Sequence, residues 1–231
     1  MFSIARFLRR RQLKVLKPFG KEETRASGLR LHLCDQSTDV AEPLMWVFRD
    51  ADDVEVVTGS IFDLDADALI SPANSFGDMG GGLDKAIDDF YGGAAQEALM
   101  ARIREEFYGE LPVGMAVVLG MPTKRFPFLI AAPTMRIPGS VGETVNAYLA
   151  MRAVLVAVLR HNERSEPTRR IHSLAIPGLC TGVGGMDYGV SSAEQMRAAY
   201  DNVIGGRWRE VVHPAMAPFA FGNKRLRREG R

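Results

Sequence analysis

Cysteine is scarce in this chain: Cys34 and Cys180 are the only two among 231 residues, and they lie far apart. Two thiols at that distance give no metal-ligand spacing and no disulfide framework, which suits a reducing cytoplasm; no metal and no cofactor is expected. Apolar runs of roughly 18 to 20 residues, the length needed to span a bilayer, are missing too. The basic N-terminal stretch carries no apolar h-region, so a secretory signal is not expected. A charge excess is also lacking, since 29 Lys and Arg face 28 Asp and Glu. Nucleic acid and membrane are therefore not expected partners, and a cytoplasmic monomer is the expectation.

Several catalytic signatures are absent as well. The chain has no G-x-x-x-x-G-K-[ST] phosphate loop. No G-x-G-x-x-G opens its first strand–helix unit. Ser71 and Ser75 have no G-x-S-x-G elbow around them. Asp63, Asp65 and Asp67 lack the Gly–Glu pattern of a calcium loop. Cys180 heads a glycine loop, yet Met186 stands where a cysteine phosphatase places its arginine, so the thiolate would lack both clamp and activating cation. His32, His161, His172 and His213 are scattered and compose no triad. Trp46 and Trp208 read as packing anchors.

What the chain does have is apolar content, 46% of residues, enough for one sizeable core. Basic residues gather in the first 27 positions and in NKRLRREGR at the end, which predicts a flexible extension over 1–27, a folded domain over 28–222 and a tail over 223–231. Within the domain, strand and helix patterns alternate. LRLHLC (29–34), VEVVT (54–58), ALIS (68–71), MAVVL (115–119), FLIAA (128–132) and IHSLAI (171–176) read as strands, with a further short one near 211–212. Helices are predicted over 37–50, 83–90, 94–107, 144–160 and 191–204, the second and third divided by Gly92-Gly93 and the fourth carrying Leu149, Ala153, Val156 and Leu159 on one side. Nearly continuous apolar strands suit a sheet covered on both faces. The expected fold is a three-layer α/β/α sandwich around a mixed, largely parallel sheet of about six strands.

Two glycine-rich segments follow buried strands. The first is SPANSFGDMGGGLD (71–84), which runs into a helix; the second is PGLCTGVGGM (177–186). At strand ends of such a sheet, glycine permits close backbone approach, and free amides at a helix start favour an anion. A tight turn is the plainer account of any single glycine. A triple glycine beside Asn74 and Asp84, with a second cluster to match, instead points to two loops closing on one phosphorylated ligand.

These segments resemble those of the macrodomain family. SPANSFGDMGGGLD is similar to its N-A-A-N…G-G-G-V-D stretch, IPGLCTGVGGM to its second loop, and Gly59-Ser60-Ile61 to its G-D-I turn. The resemblance is to a divergent bacterial or phage-type branch near the MacroD-type hydrolases. It implies ADP-ribose, free or attached to another molecule, as the partner. Asn74 would then meet the distal ribose, with Gly80, Gly81 and Gly82 pressed against it and the adjoining phosphate. Thr181, Gly182 and Val183 would wrap the diphosphate, Ile61 would offer its backbone N–H near the adenine, and Gly59, Ser60, Gly178 and Gly184 would be further ligand-binding positions. Asp84, with Asn74 as the second candidate catalytic residue, would orient or activate water against an ester at the distal ribose. Protein-linked ADP-ribose, O-acetyl-ADP-ribose and ADP-ribose 1″-phosphate are the implied substrates. The alternative is a reader that binds without turnover, with a phage-tail or mobile-element setting as its context.

Three positions depart from that pattern. Ser60 replaces the aspartate expected to receive the adenine amino group, which implies either weaker adenine selectivity or Asp63 as its substitute. Gly184 replaces an aromatic residue, leaving Phe76 or Tyr188 to supply a ring. Asp88 stands one turn after Asp84 where a histidine is usual, and two carboxylates at that spacing would raise one pKa.

Overall fold

The computed structural model describes residues 13–21, 28–187 and 191–220. Seven strands form one sheet: β1 (Lys14–Lys17), β2 (Arg30–Asp35), β3 (Val54–Thr58), β4 (Ala68–Ser71), β5 (Val117–Gly120), β6 (Phe128–Ala131) and β7 (Ser173–Ile176). Their order is β1-β3-β2-β7-β4-β6-β5. The five inner strands run parallel, and each edge strand joins antiparallel. Among the described residues five helices accompany them: α1 (Thr38–Val47), α2 (Gly82–Phe90), α3 (Ala94–Phe107), α4 (Asn146–Arg164) and α5 (Ser191–Val203).

Alternation along the strands sorts side chains into two cores. Leu31, Leu33, Ile70, Leu174 and Ile176 face one way and pack with α1, α4 and α5. Leu69, Leu129, Ala131 and Ala175 face the other way, toward α2 and α3. Both faces are covered, which is why these strands read as continuous apolar runs. On α4 the buried positions include Ala147, Ala150, Met151, Val154, Leu155 and Val158. Of the expected stripe, Ala153 is buried, whereas Leu149, Val156 and Leu159 lie at the margin of that face, half-buried. Gly92 and Gly93 hold φ of 66° and 88°, left-handed values that break the path between α2 and α3 as predicted. Asp88 accepts the Gln96 amide at 2.9 Å, tying the end of α2 to the first turn of α3.

The seventh strand comes from a segment expected to be a flexible extension. β1 pairs with β3, and the buried ammonium of Lys17 donates to the carbonyls of Ala51 (2.8 Å) and Val54 (2.5 Å). Basic character concealed this strand, because Lys17 serves backbone carbonyls here rather than solvent. The expected strand near 211–212 is absent: that stretch is an exposed loop after a short 3-10 turn at Arg207–Arg209. Trp46 (63% exposed) and Trp208 (53%) lie on the surface, so neither anchors the core.

β4 and β7 are locked at their starts. The Asp67 carboxylate accepts the amides of His172 (2.7 Å) and Ser173 (2.9 Å), while the Asp67 amide donates to Ser173 Oγ at 2.9 Å. The pairing then covers only Ala68 with Leu174 and Leu69 with Ala175. Asp67→Ala strands two strand-end amides and should cost about 1–3 kcal/mol, read as a lower urea midpoint at unchanged m-value.

Candidate functional site

Beyond Leu69 and Ala175 the two strands diverge. β4 sends its chain to α2 on one face, and β7 sends its chain to α5 on the other. A crevice must open where neighbouring parallel strands feed opposite faces, at their carboxyl ends. Two cavities of about 330 and 350 Å³ fill it and share Asp35, Gly82, Leu83 and Pro177 on their walls.

The first glycine loop is built around Asn74. Its Oδ1 accepts the amides of Phe76 (3.0 Å) and Asp78 (3.3 Å), and its Nδ2 donates to the Asp78 carbonyl at 2.7 Å. Asn74 thus folds its own loop, and one amide proton remains for a ligand. Gly81 caps α2 in extended conformation and Gly82 takes φ of 58°. The amides at the start of α2 have no intrahelical acceptors, and the positive end of the helix faces the cavity.

The second loop closes on itself through Met186 N–H to the Cys180 carbonyl (3.0 Å) and Gly185 N–H to the Gly182 carbonyl (2.9 Å). The amides of Thr181, Gly182, Val183 and Gly184 find no acceptor among the described residues. Two rows of unpaired N–H groups thus belong to residues on the wall of one cavity, a neutral cradle suited to a phosphorylated ligand. A methyl group at Gly184 would lie 2.6 Å from the Cys180 carbonyl oxygen and 2.9 Å from Val141, so the loop's closure forbids any side chain there.

Asp84 sits on the first turn of α2, half-buried on the cavity wall, where it accepts the Ser71 hydroxyl at 2.7 Å. Burial raises its pKa to about 6; the Ser71 bond works against the shift and the Asp78 charge adds to it. The carboxylate that perturbs Asp84 is therefore Asp78, while Asp88 is engaged with α3. Both thiols border the crevice: burial pushes Cys34 and Cys180 up to about 12, with nearby carboxylates adding to the rise at Cys34, which leaves both protonated and unreactive.

Most of the expected residues meet here. Asn74, Gly81, Gly82 and Asp84 line the first cavity from one side; Gly178, Thr181, Gly182, Val183 and Gly184 line it from the other. Gly59 and Ile61 line the second cavity. Ser60 lines neither, and Gly80 is turned outward with its amide on Asp78 Oδ1 at 3.0 Å. Asp63 is not on the second cavity's wall. Phe76 packs under the Arg136 guanidinium (5.4 Å) instead of entering the crevice, and Tyr188 lies outside the described residues. Asp35, which the motif reading passed over, is the carboxylate that borders both cavities. It also accepts the Ser37 amide at 2.9 Å, steadying the entry to α1. Burial raises its pKa, opposed by backbone amides including that of Gly178. Its place at the carboxyl end of a parallel strand was the available signal.

Two measurements follow from this geometry. Gly184→Ala should lose about 1–3 kcal/mol of stability, whereas Gly182→Ala, whose methyl meets nothing within 4 Å, should stay within about 0.5. Asp84 ionises less readily in the folded chain than in the unfolded one, so the wild type gives up stability as pH rises from about 4 to about 6 and none beyond. Asp84→Asn should therefore gain on wild type across that window and exceed it by about 1–3 kcal/mol at pH 8 in denaturant titrations.

Comparison with known proteins fits this architecture. The macro domain family model matches residues 70–196. An uncharacterized protein of Aeropyrum pernix is 32% identical over 157 residues, 68% of this chain and 75% of that one. Macro domain-containing protein TTE0995 of Caldanaerobacter subterraneus is 25% identical over 158 residues, 68% of this chain and 85% of its own. Among solved structures, the macrodomain of Mycobacterium tuberculosis DarG superposes with a TM-score of 0.51 at 21% identity, covering 62% of this chain and 87% of that one. The Oceanobacillus iheyensis macrodomain with ADP gives 0.50 at 21% identity, covering 65% and 75%. With that family match spanning more than half its length, and with the sheet order and paired loops described above, the chain belongs to the macro domain family.

Proposed function

We propose that the crevice binds ADP-ribose and that the chain hydrolyses an ester at the distal ribose, with Asp84 as the general base. The adenosine end enters the cavity bordered by Ile61, Cys34 and Asp35. The diphosphate lies across the amides of the 181–184 loop and the start of α2, and the distal ribose reaches Asn74 and Asp84. Support for the ligand comes from the family and from the Oceanobacillus relative solved with ADP.

One observation carries the reaction. Asp84 is a half-buried carboxylate, fixed by Ser71 at 2.7 Å, on the wall of a cavity whose donors are neutral amides. A base whose pKa lies near 6 is ionised at neutral pH yet basic enough to take a proton from water. In the step proposed, Asp84 accepts a water proton while the water oxygen bonds to C1″. The C1″–O ester bond breaks, its electron pair leaving with the departing carboxylate. Ser71 is a positioning residue that fixes which oxygen of Asp84 faces the water.

Recognition without turnover is the second reading. It is favoured by Asn74, whose carbonyl oxygen is already engaged with two loop amides and is not free to help hold a water.

Calorimetry should show ADP-ribose binding at least tenfold tighter than AMP; equal affinities would sink the site. Gly82→Glu should abolish binding, because a side chain built there meets open space inside the crevice. Turnover of a glutamate-linked ADP-ribosyl peptide should fall at least a hundredfold in Asp84→Ala while binding persists, and kcat/KM should drop below an acid limb near pH 6. A wild type that binds and never turns over leaves the reader.

A further inference from the structure

The charged side chains lining the cavity that holds Asp84 are all carboxylates. Asp78 and Asp84 line it from the first loop, and Asp35 lines it from the end of β2. No Lys, Arg or His is among the described residues on its wall. Nearby cations are engaged elsewhere: the Arg136 guanidinium holds the Glu110 carboxylate at 2.7 and 3.0 Å, and Lys85 holds Asp89 at 2.8 Å. The neutral amides suffice for a diphosphate that runs between the two loops. They do not extend to Asp78, whose Oδ1 already takes the Gly80 amide. A further anion near Asp84 would meet two full negative charges, opposed only by the dipole of the α2 start and by no cationic side chain.

The implied substrates differ on this point. An acyl ester at C1″ enters uncharged, and its negative charge appears only as Asp84 is neutralised by the proton it accepts. A phosphate monoester brings close to two negative charges on arrival.

We propose that Asp78 and Asp84 make this site selective for ADP-ribose carrying an uncharged ester at C1″, and that they exclude the 1″-phosphate. The proposal rests on the ADP-ribose reading of the crevice and refines it to a substrate class. Asp78 acts as a specificity residue: it sets the charge around the reacting carbon without taking part in proton transfer.

The test titrates ADP-ribose and ADP-ribose 1″-phosphate into the full chain by calorimetry, with phosphate release followed in the same samples, for wild type and Asp78→Asn. The asparagine keeps an oxygen for the Gly80 amide and removes only the charge. Wild type should bind the 1″-phosphate at least tenfold more weakly than ADP-ribose, and Asp78→Asn should narrow that ratio at least threefold. Within wild type the ratio should also narrow from pH 8 to pH 5, as Asp84 and the phosphate take up protons, which gives a readout independent of the variant. Equal or tighter binding of the 1″-phosphate at pH 8, or a ratio indifferent to both Asp78→Asn and pH, overturns the proposal. Failure of ADP-ribose itself to bind defeats the underlying reading as well, an outcome distinct from tight binding of both nucleotides.

Discussion

Asp67 ties the start of β4 to the start of β7 with both carboxylate-held amides and its own N–H, and everything at the other end of these strands follows from that tie. Held together at one end and paired for only two residues, the strands are free to part at the other. Their chains leave for helices on opposite faces, so the gap between them is never filled by a connecting element. Both glycine loops, the start of α2 and the carboxylates of Asp35 and Asp84 all border that gap.

Inside it, two kinds of electrostatics operate side by side. Backbone amides supply positive ends of dipoles that carry no net charge and need no reorganisation. Carboxylates supply full negative charges whose ionisation burial makes harder. Had the loops offered arginines, the pKa of Asp84 would have been pulled down toward an ordinary carboxylate's, and the group would have been a weaker base. Neutral donors permit anion binding without that effect.

Much of this was legible in the sequence. The apolar runs of β4, β6 and β7 and the glycines after two of them announced a parallel sheet with loops at its strand ends. Gly92-Gly93 announced the break between helices. Other features were hidden because the residues that carry them serve partners remote in sequence. Lys17 looks like tail charge until the carbonyls of Ala51 and Val54 are beside it. Asp35 belongs to no motif, and only the register of β2 beside β7 brings it to the crevice. Asp88 sits at helical spacing from Asp84, and that spacing implied mutual repulsion; the backbone turn at Gly92-Gly93 gives Asp88 the Gln96 amide instead. Phe76 follows the loop's glycine pattern, but its ring finds Arg136.

The amide rows have a mutational consequence. A donor that belongs to the main chain cannot be deleted by a codon change at its own position, except to proline. Substitutions in the 181–184 loop alter what surrounds those N–H groups, while the groups themselves persist as long as the loop keeps its path. Lineages carrying such a site can exchange side chains around it freely, and the steric ban on a side chain at Gly184 is a constraint on path rather than on chemistry.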